Sequence, residues 1–341
     1  MAGRVSPMRD LVHAWRVHEL GEPATVLRFE EMPAAEPGLT QVGIEVTACA
    51  LNFADTLLCH GTYQDKPPLP FTPGLEVCGV VREVAAGAAP EVAGLLGQRV
   101  VALPALPHGG LASWSLAENR DVFAIPDTLN DVTAAALPVT YQTGWFGLYH
   151  RAALAAGETV LVHAGAGGVG SAAIQLAKAR GARVIATAGG ADKVAQCLAL
   201  GADAAIDYRR EDFIEATKAF TDGRGADVIY DSVGGDTFDG SRRCVAFEGR
   251  IVVVGFAGGS IAEAPTNHVL VKNYSVVGLH WGLYRRLHPA LVQACHQDLM
   301  RLHTSGAIAP LIGAVRPLAD APTALTELAG RATVGKTVLV P

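Results

Sequence analysis

The chain's sharpest change of pattern lies between Thr159 and Gly181, TVLVHAGAGGVGSAAIQLAKARG. Val160 to Val162 is a continuous apolar run, β-branched and too short for a helix, and reads as a buried parallel strand. Val169, Ala173, Ile174, Leu176 and Ala177 then fall on one helical face, and the helix is predicted to end near Gly181. Between strand and helix stands Gly165-x-Gly167-x-x-Gly170.

On either side the pattern differs. From Leu11 to about Ala124, short strands are broken by turns. Val42 to Val46 alternates, Val77 to Val84, Arg99 to Leu103 and Ala112 to Leu116 read as further strands, and prolines 67, 68, 70 and 73 mark irregular loops. This half reads as an all-β, barrel-like unit with little helix. Helices are predicted from Asp131, a candidate N-cap, to Ala136, and from Thr143 to Ala155. Past Gly165, strands (184–187, 204–206, 227–230, 251–254, 275–277) alternate with helices (191–200, 212–220). That order implies βαβ crossovers and a doubly wound parallel sheet. A helix 290–305, a short helix 321–329 and a strand 336–340 close the chain, and the last strand is expected to return to the β-rich unit. The expected division is 1–135, 136–279 and 280–341.

The glycine spacing has a physical reading in this context. A pyrophosphate sits against the free N–H groups of a helix's first turn, where the dipole favours anions. Gly165 permits the tight turn, Gly167 lets the backbone approach, and Gly170 lets helix and sheet pack closely. Gly168 and Val169 supply the opening N–H groups. Ser232-Val233-Gly234 and Val254-Gly255-Phe256 end later strands, where ligands bind in such sheets, and are expected to wall the cofactor.

Dinucleotide folds that take NAD usually place an acid at the end of the second strand to hold the ribose 2′-OH. Here that strand ends Ala186-Thr187-Ala188-Gly189-Gly190, with no acid, which favours NADPH. Lys193 can pair with a 2′-phosphate or be an ordinary exposed helix lysine. Tyr208 and Arg209 can add a hydroxyl and a second cation.

Composition narrows the class. The 341 residues suggest about two domains, half of them are hydrophobic, and net charge is −6. With no basic tract, nucleic acid is not an expected partner. The six cysteines form no CxxC, so reduced thiols and a cytoplasmic setting are the economical reading. No apolar run approaches the roughly 20 residues that span a bilayer, and the first fifteen residues lack the apolar core of a signal peptide. Residues before Met8 look like a loose extension.

A series of segments carries a family resemblance: ACALNFADTLLCHGTY from Ala48, PGLEVCGVV from Pro73, GGLASW from Gly109, ALPVTYQTGW from Ala136, AGAGGVG from Ala164, DYRREDF from Asp207, YDSVGG from Tyr230 and GKTVLVP from Gly335. Taken in order over nearly the whole chain, they resemble the zinc-free quinone oxidoreductases, zeta-crystallin among them, of the medium-chain dehydrogenase/reductase superfamily. The resemblance implies a GroES-like β domain, a Rossmann domain inserted into it, an active site in the cleft and a homodimer formed by sheet extension. Aligned by motif, Asn52, Leu75 and Val139 stand where zinc-dependent relatives carry Cys, His and Cys. A carboxamide and two aliphatic groups make no zinc site.

The resemblance further implies hydride transfer from NADPH to a quinone or an alkene conjugated to a carbonyl, without metal. Asn52 becomes a candidate donor to the developing oxyanion. Asp55 can orient it, or serve as an acid in the first turn of a helix. Tyr63 can donate a proton or form a wall. Thr143 is expected beside the nicotinamide, and Lys336, in the closing segment, at the cofactor. His280, Trp281 and Tyr284 can close the pocket. A non-catalytic NADPH-binding protein, a redox sensor or a crystallin-like protein, is the alternative.

Overall fold

A computed structural model describes residues 11–341; the expected extension before Met8 lies outside the described residues. The chain forms two compact units. One runs to Val139 and resumes with Ile312–Pro341; the other is Thr140–Leu311. The sequence reading broke at 135/136 and returned at 280. The structure instead keeps the helices Trp281–Leu287 and Pro289–Thr304 with the second unit.

The first unit begins with a hairpin, β1 (Leu11–Val17) on β2 (Leu27–Pro33). It continues with β3 (Gln41–Ala50), β4 (Val77–Val84), β5 (Arg99–Ala102), β6 (Trp114–Glu118) and β7 (Val122–Ala124). The second unit holds β8 (Thr159–Val162), β9 (Arg183–Ala188), β10 (Ala204–Asp207), β11 (Ala226–Asp231), β12 (Val245–Val253) and β13 (Ser275–Gly278). Then β14 (Ile312–Pro317) and β15 (Lys336–Val340) complete the first.

In the first unit the sheet order is β14-β15-β3-β4-β5-β7, with β6 also paired to β3, along Gln41 to Glu45. The closing strand returns as expected: Val338 pairs with Ala50 and Leu339 with Cys49. Alternation on β3 and β4 buries Val42, Ile44, Val46, Val77 and Val81 in one core with Leu58, Phe71 and Leu339. Gly79 is required where β4 crosses β3, because a side chain there would strike the carbonyl of Glu45.

The second unit is a six-stranded, wholly parallel sheet ordered β10-β9-β8-β11-β12-β13. Counted from β8, that is 3-2-1-4-5-6, the doubly wound order. All four residues of β8 are buried, as a central strand covered on both faces demands.

Some local expectations are corrected. Asn130, not Asp131, caps the helix Asp131–Ala135: its Oδ1 accepts the Thr133 N–H at 2.9 Å. The helix expected from Thr143 begins at Pro138 and loosens into a π-helix over Phe146–Arg151. The helix expected as one reading of Asp55 is formed over Phe53–His60, with Asp55 in its first turn.

Candidate active site

In the second unit the glycine turn is built as its spacing requires. Gly167 caps the helix Gly168–Ala179, and Ala164 takes a left-handed φ of 52° to turn the chain out of β8. A Cβ on Gly170 would collide with the Ala164 carbonyl oxygen, and one on Gly165 would press on Cys197, Ala186 and Ile174. On Gly167 it would meet only the Ala164 oxygen, at 3.3 Å. Gly165 and Gly170 therefore serve packing, while Gly167 keeps one side of the backbone open at the helix N-terminus. There the first N–H groups have no carbonyl within the helix.

The turn is held from behind. The Gly165 N–H donates to the Thr187 carbonyl at 2.9 Å. The Thr187 hydroxyl lies 3.0 Å from His163 Nδ1, and His163 Nε2 lies 2.9 Å from the Ser241 hydroxyl. Thr187 is thus a buried support rather than an open edge. Burial pushes His163 down to about 4, so it is neutral at pH 7. The sequence offered no partner for His163.

Beyond β9 the chain forms a second cradle. Asp207 Oδ1 accepts the N–H groups of Gly190 (2.9 Å) and Arg209 (3.1 Å), drawing the end of β10 against the turn after β9. These bonds hold its carboxyl below the usual range. A Cβ on Gly189 would lie 2.5 Å from the Tyr208 hydroxyl and 3.1 Å from Arg209 Nε. The space left by two glycines is therefore lined by a hydroxyl and a guanidinium. Lys193, on the next helix, is lowered by partial burial and by the charge of Arg209, which brings two cations to one place.

Ser232, Val233, Gly255 and Phe256 fall at the same end of the sheet. After β11, Asp231 Oδ1 accepts the N–H groups of Val233 and Gly234, fixing the turn that carries Ser232. The Ala257 and Gly258 N–H groups close on the Ser232 and Val233 carbonyls, bringing in Gly255 and Phe256 after β12. Thr143 is buried on the helix Pro138–Trp145. Tyr284 packs on Phe146 (ring centroids 4.5 Å apart) and His150 (5.5 Å). That gives His150 a partner the sequence did not show.

In the first unit Asn52, Glu76 and Lys336 form one buried network. The Lys336 ammonium donates to Glu76 Oε1 (2.7 Å), Asn52 Oδ1 (2.7 Å) and the Leu51 carbonyl (2.6 Å). Asn52 Nδ2 donates to Glu76 Oε1 (2.9 Å) and the Ala50 carbonyl (3.3 Å). Glu76 Oε2 accepts the Val139 N–H at 2.7 Å. Lys336, expected at the cofactor, has all three donors engaged here. Asp55, in the first turn of the helix Phe53–His60, accepts the N–H groups of Asn52 (2.8 Å) and Gly74 (3.0 Å). Burial pushes its carboxyl up to about 7 against the pull of those two bonds. Tyr63 is half-buried against the same core. Glu76 and Lys336 went unread as a pair because no local spacing links them.

The metal position does not suit zinc. Its donor set is a carboxamide and two aliphatic side chains, a buried ammonium already sits on Glu76, and the Asp55 carboxylate is taken up by the N–H groups of Asn52 and Gly74. A dication there meets like charge and lacks thiolate or imidazole. Among the described residues no group of three His, Cys, Asp or Glu is arranged to hold a metal, and no helix is long and apolar enough to cross a membrane.

A β unit closed by the chain's last strand, with a doubly wound dinucleotide-type unit inserted in it, defines the architecture of a medium-chain dehydrogenase/reductase. Family profiles agree: residues 38–127 match the alcohol dehydrogenase GroES-like domain and residues 168–296 match the zinc-binding dehydrogenase domain. The chain is 38% identical to quinone oxidoreductase-like protein 2 of Rattus norvegicus over 94% of its own length and 90% of that protein. It is 31% identical to the quinone oxidoreductase of Homo sapiens, covering 97% and 98% of the two chains. The structure of Escherichia coli quinone oxidoreductase complexed with NADPH superposes with a TM-score of 0.86 at 31% identity, over 96% of this chain and all of that one. The chain belongs to the zinc-free quinone oxidoreductase family of the medium-chain dehydrogenases/reductases.

Proposed function

We propose that the protein is an NADPH-dependent oxidoreductase that reduces a quinone or an alkene conjugated to a carbonyl, without a metal. The observation that carries the reading is the cradle at Gly189–Gly190. Its walls are the Tyr208 hydroxyl and the Arg209 guanidinium, with Lys193 near and no acid at the end of β9. A ribose 2′-phosphate brings negative charge and several acceptor oxygens, which a guanidinium fork and an ammonium both answer. The NADPH complex of the E. coli relative supports the same choice.

NADPH, when bound, supplies the hydride. The N–H groups of Gly168 and Val169 hold the pyrophosphate, with Gly167 leaving room for it. Ser232, Val233, Gly255 and Phe256 wall the cofactor, and Thr143 orients it. Tyr63 attends the oxygen of the acceptor, and Asn52, expected as a donor to that oxygen, has both Nδ2 hydrogens given to Glu76 and the Ala50 carbonyl and so acts as a positioning residue. Lys336 holds the Asn52 carbonyl and strengthens the amide's bond to Glu76, which fixes this network in place. Asp55 is a positioning residue, holding the Asn52 backbone. Strand β13 ends its sheet with an open edge, and its exposure supports a homodimer through that edge.

The test is a fluorescence titration with NADPH and NADH on wild type, Lys193→Ala and Arg209→Ala, then NADPH oxidation with benzoquinone and an enone after EDTA treatment. Wild type should prefer NADPH by roughly tenfold or more, the variants should lose the preference, and turnover should survive the chelator. Equal binding of both cofactors would overturn the cofactor assignment, and chelator-sensitive turnover the metal-free one. Tight NADPH binding with no turnover across acceptors would overturn catalysis in favour of a binding protein. A monomer in light scattering would overturn the dimer.

A further inference from the structure

The strand ends opposite the glycine turn carry a second basic site. At the starts of β11 and β12 lies a surface pocket of about 310 Å³ in the second unit. Lys218, Arg224, Arg243 and Lys272 line it, with Phe247 on its wall. They come from four segments: the helix Phe213–Phe220, the turn before β11, the helix Gly235–Cys244 and the helix Thr266–Lys272. Their convergence is also felt by neighbours. Lys218 and Lys272 both act on the buried Cys244 thiol, and Arg242, Arg243 and Lys272 all act on His268.

Carboxylates offset only part of this charge, Asp212 among them through its action on Cys244. Glu215 lies 3.0 Å from Lys218, and Asp227 lies 3.8 Å from Arg224. Asp239 pairs with Arg242 beside the pocket. Arg243 and Lys272 have no carboxylate partner among the described residues; Lys272 makes only a 3.5 Å contact to the Arg242 carbonyl. Phe247 is 71% exposed, an unusual setting for a phenyl ring. Cations around a bounded pocket answer phosphate, and an open aromatic face beside them answers a flat ring.

We propose that this pocket binds a mononucleotide, with its phosphates on Arg243, Lys272 and Lys218 and its base against Phe247. It is separate from the dinucleotide cradle, because the strands are parallel and the two lie at opposite ends of the sheet. It does not rest on the proposed reaction.

Calorimetry with ADP and with pyrophosphate, on full-length protein first saturated with NADPH, tests it. Expected are one saturable ADP site per chain and at least tenfold weaker ADP binding in Arg243→Ala/Lys272→Ala. In Phe247→Ala, ADP should weaken while pyrophosphate does not. NADPH affinity, measured separately, should be unchanged in these variants and reports that they are folded. No saturable ADP binding, or equal binding in the double variant, would overturn the site. Pyrophosphate and ADP affected alike by Phe247→Ala would overturn the nucleotide assignment. Failure of wild type to bind NADPH would instead count against the proposed function, and the double variant would still decide the pocket.

Discussion

The Lys336 ammonium lies 2.7 Å from the Glu76 carboxylate, with side chains 4% and 0% exposed, across 260 residues of sequence. The pair ties the chain's last strand to the loop before β4. Removing one member leaves the other charged, buried and unpaired, which typically costs about 3–5 kcal/mol. Lys336→Met and Glu76→Gln should each lower the urea midpoint strongly, and together by less than their sum. A double-mutant cycle checks this, and additive losses would show the two groups to be independent.

Two glycines of one motif should fail differently. Gly170→Ala forces a methyl into the Ala164 carbonyl, so overpacking should destabilise by about 1–3 kcal/mol. Gly167→Ala meets only one atom, so it should fold nearly normally and lose dinucleotide affinity instead. Thermal unfolding beside an NADPH titration separates the two outcomes.

Asp55 gives stability a pH slope. Its carboxyl sits at about 7 in the folded protein, against about 3.9 in an unfolded chain. Between these values the unfolded state is ionised while the folded state holds the proton. Asp55's contribution is therefore best below about pH 4, falls as pH rises towards 7, and is flat above. Asp55→Asn should flatten that part of the profile, read as urea midpoints from about pH 5 to about pH 8. An unchanged slope would mean that Asp55 is ionised throughout.

Arg250 fixes the foot of the parallel sheet. Its two terminal nitrogens bond both Glu158 oxygens at 2.7 and 2.9 Å, and the group also reaches the Ala152 carbonyl. Lysine cannot reproduce that fork. Arg250→Lys should destabilise by about 1–2 kcal/mol and Arg250→Ala by more, measured by chemical denaturation.

The parallel unit was readable because its signals are local. Apolar runs such as Ile251 to Val254, helical stripes and glycine spacing all act within a few residues. What escaped depends on distant partners or weak pattern. Strand β14 alternates half-buried with exposed positions and ends in Pro317, so no apolar run announces it. The helix Gly235–Cys244 carries two glycines and four charged residues, and tertiary packing of Phe238 and Cys244 holds it. Asn52 was legible as a substitution in a motif. Its bond to Lys336 was not, because only the return of β15 brings them together.

All six cysteines are buried and unpaired. Burial pushes Cys59, Cys78 and Cys244 up to about 12 and Cys197 to about 11, with Cys49 and Cys295 also raised. Quinones and enones are electrophiles that alkylate exposed thiolates. A protein whose thiols are all sealed away and protonated is armoured against arylation by the compounds it is proposed to reduce.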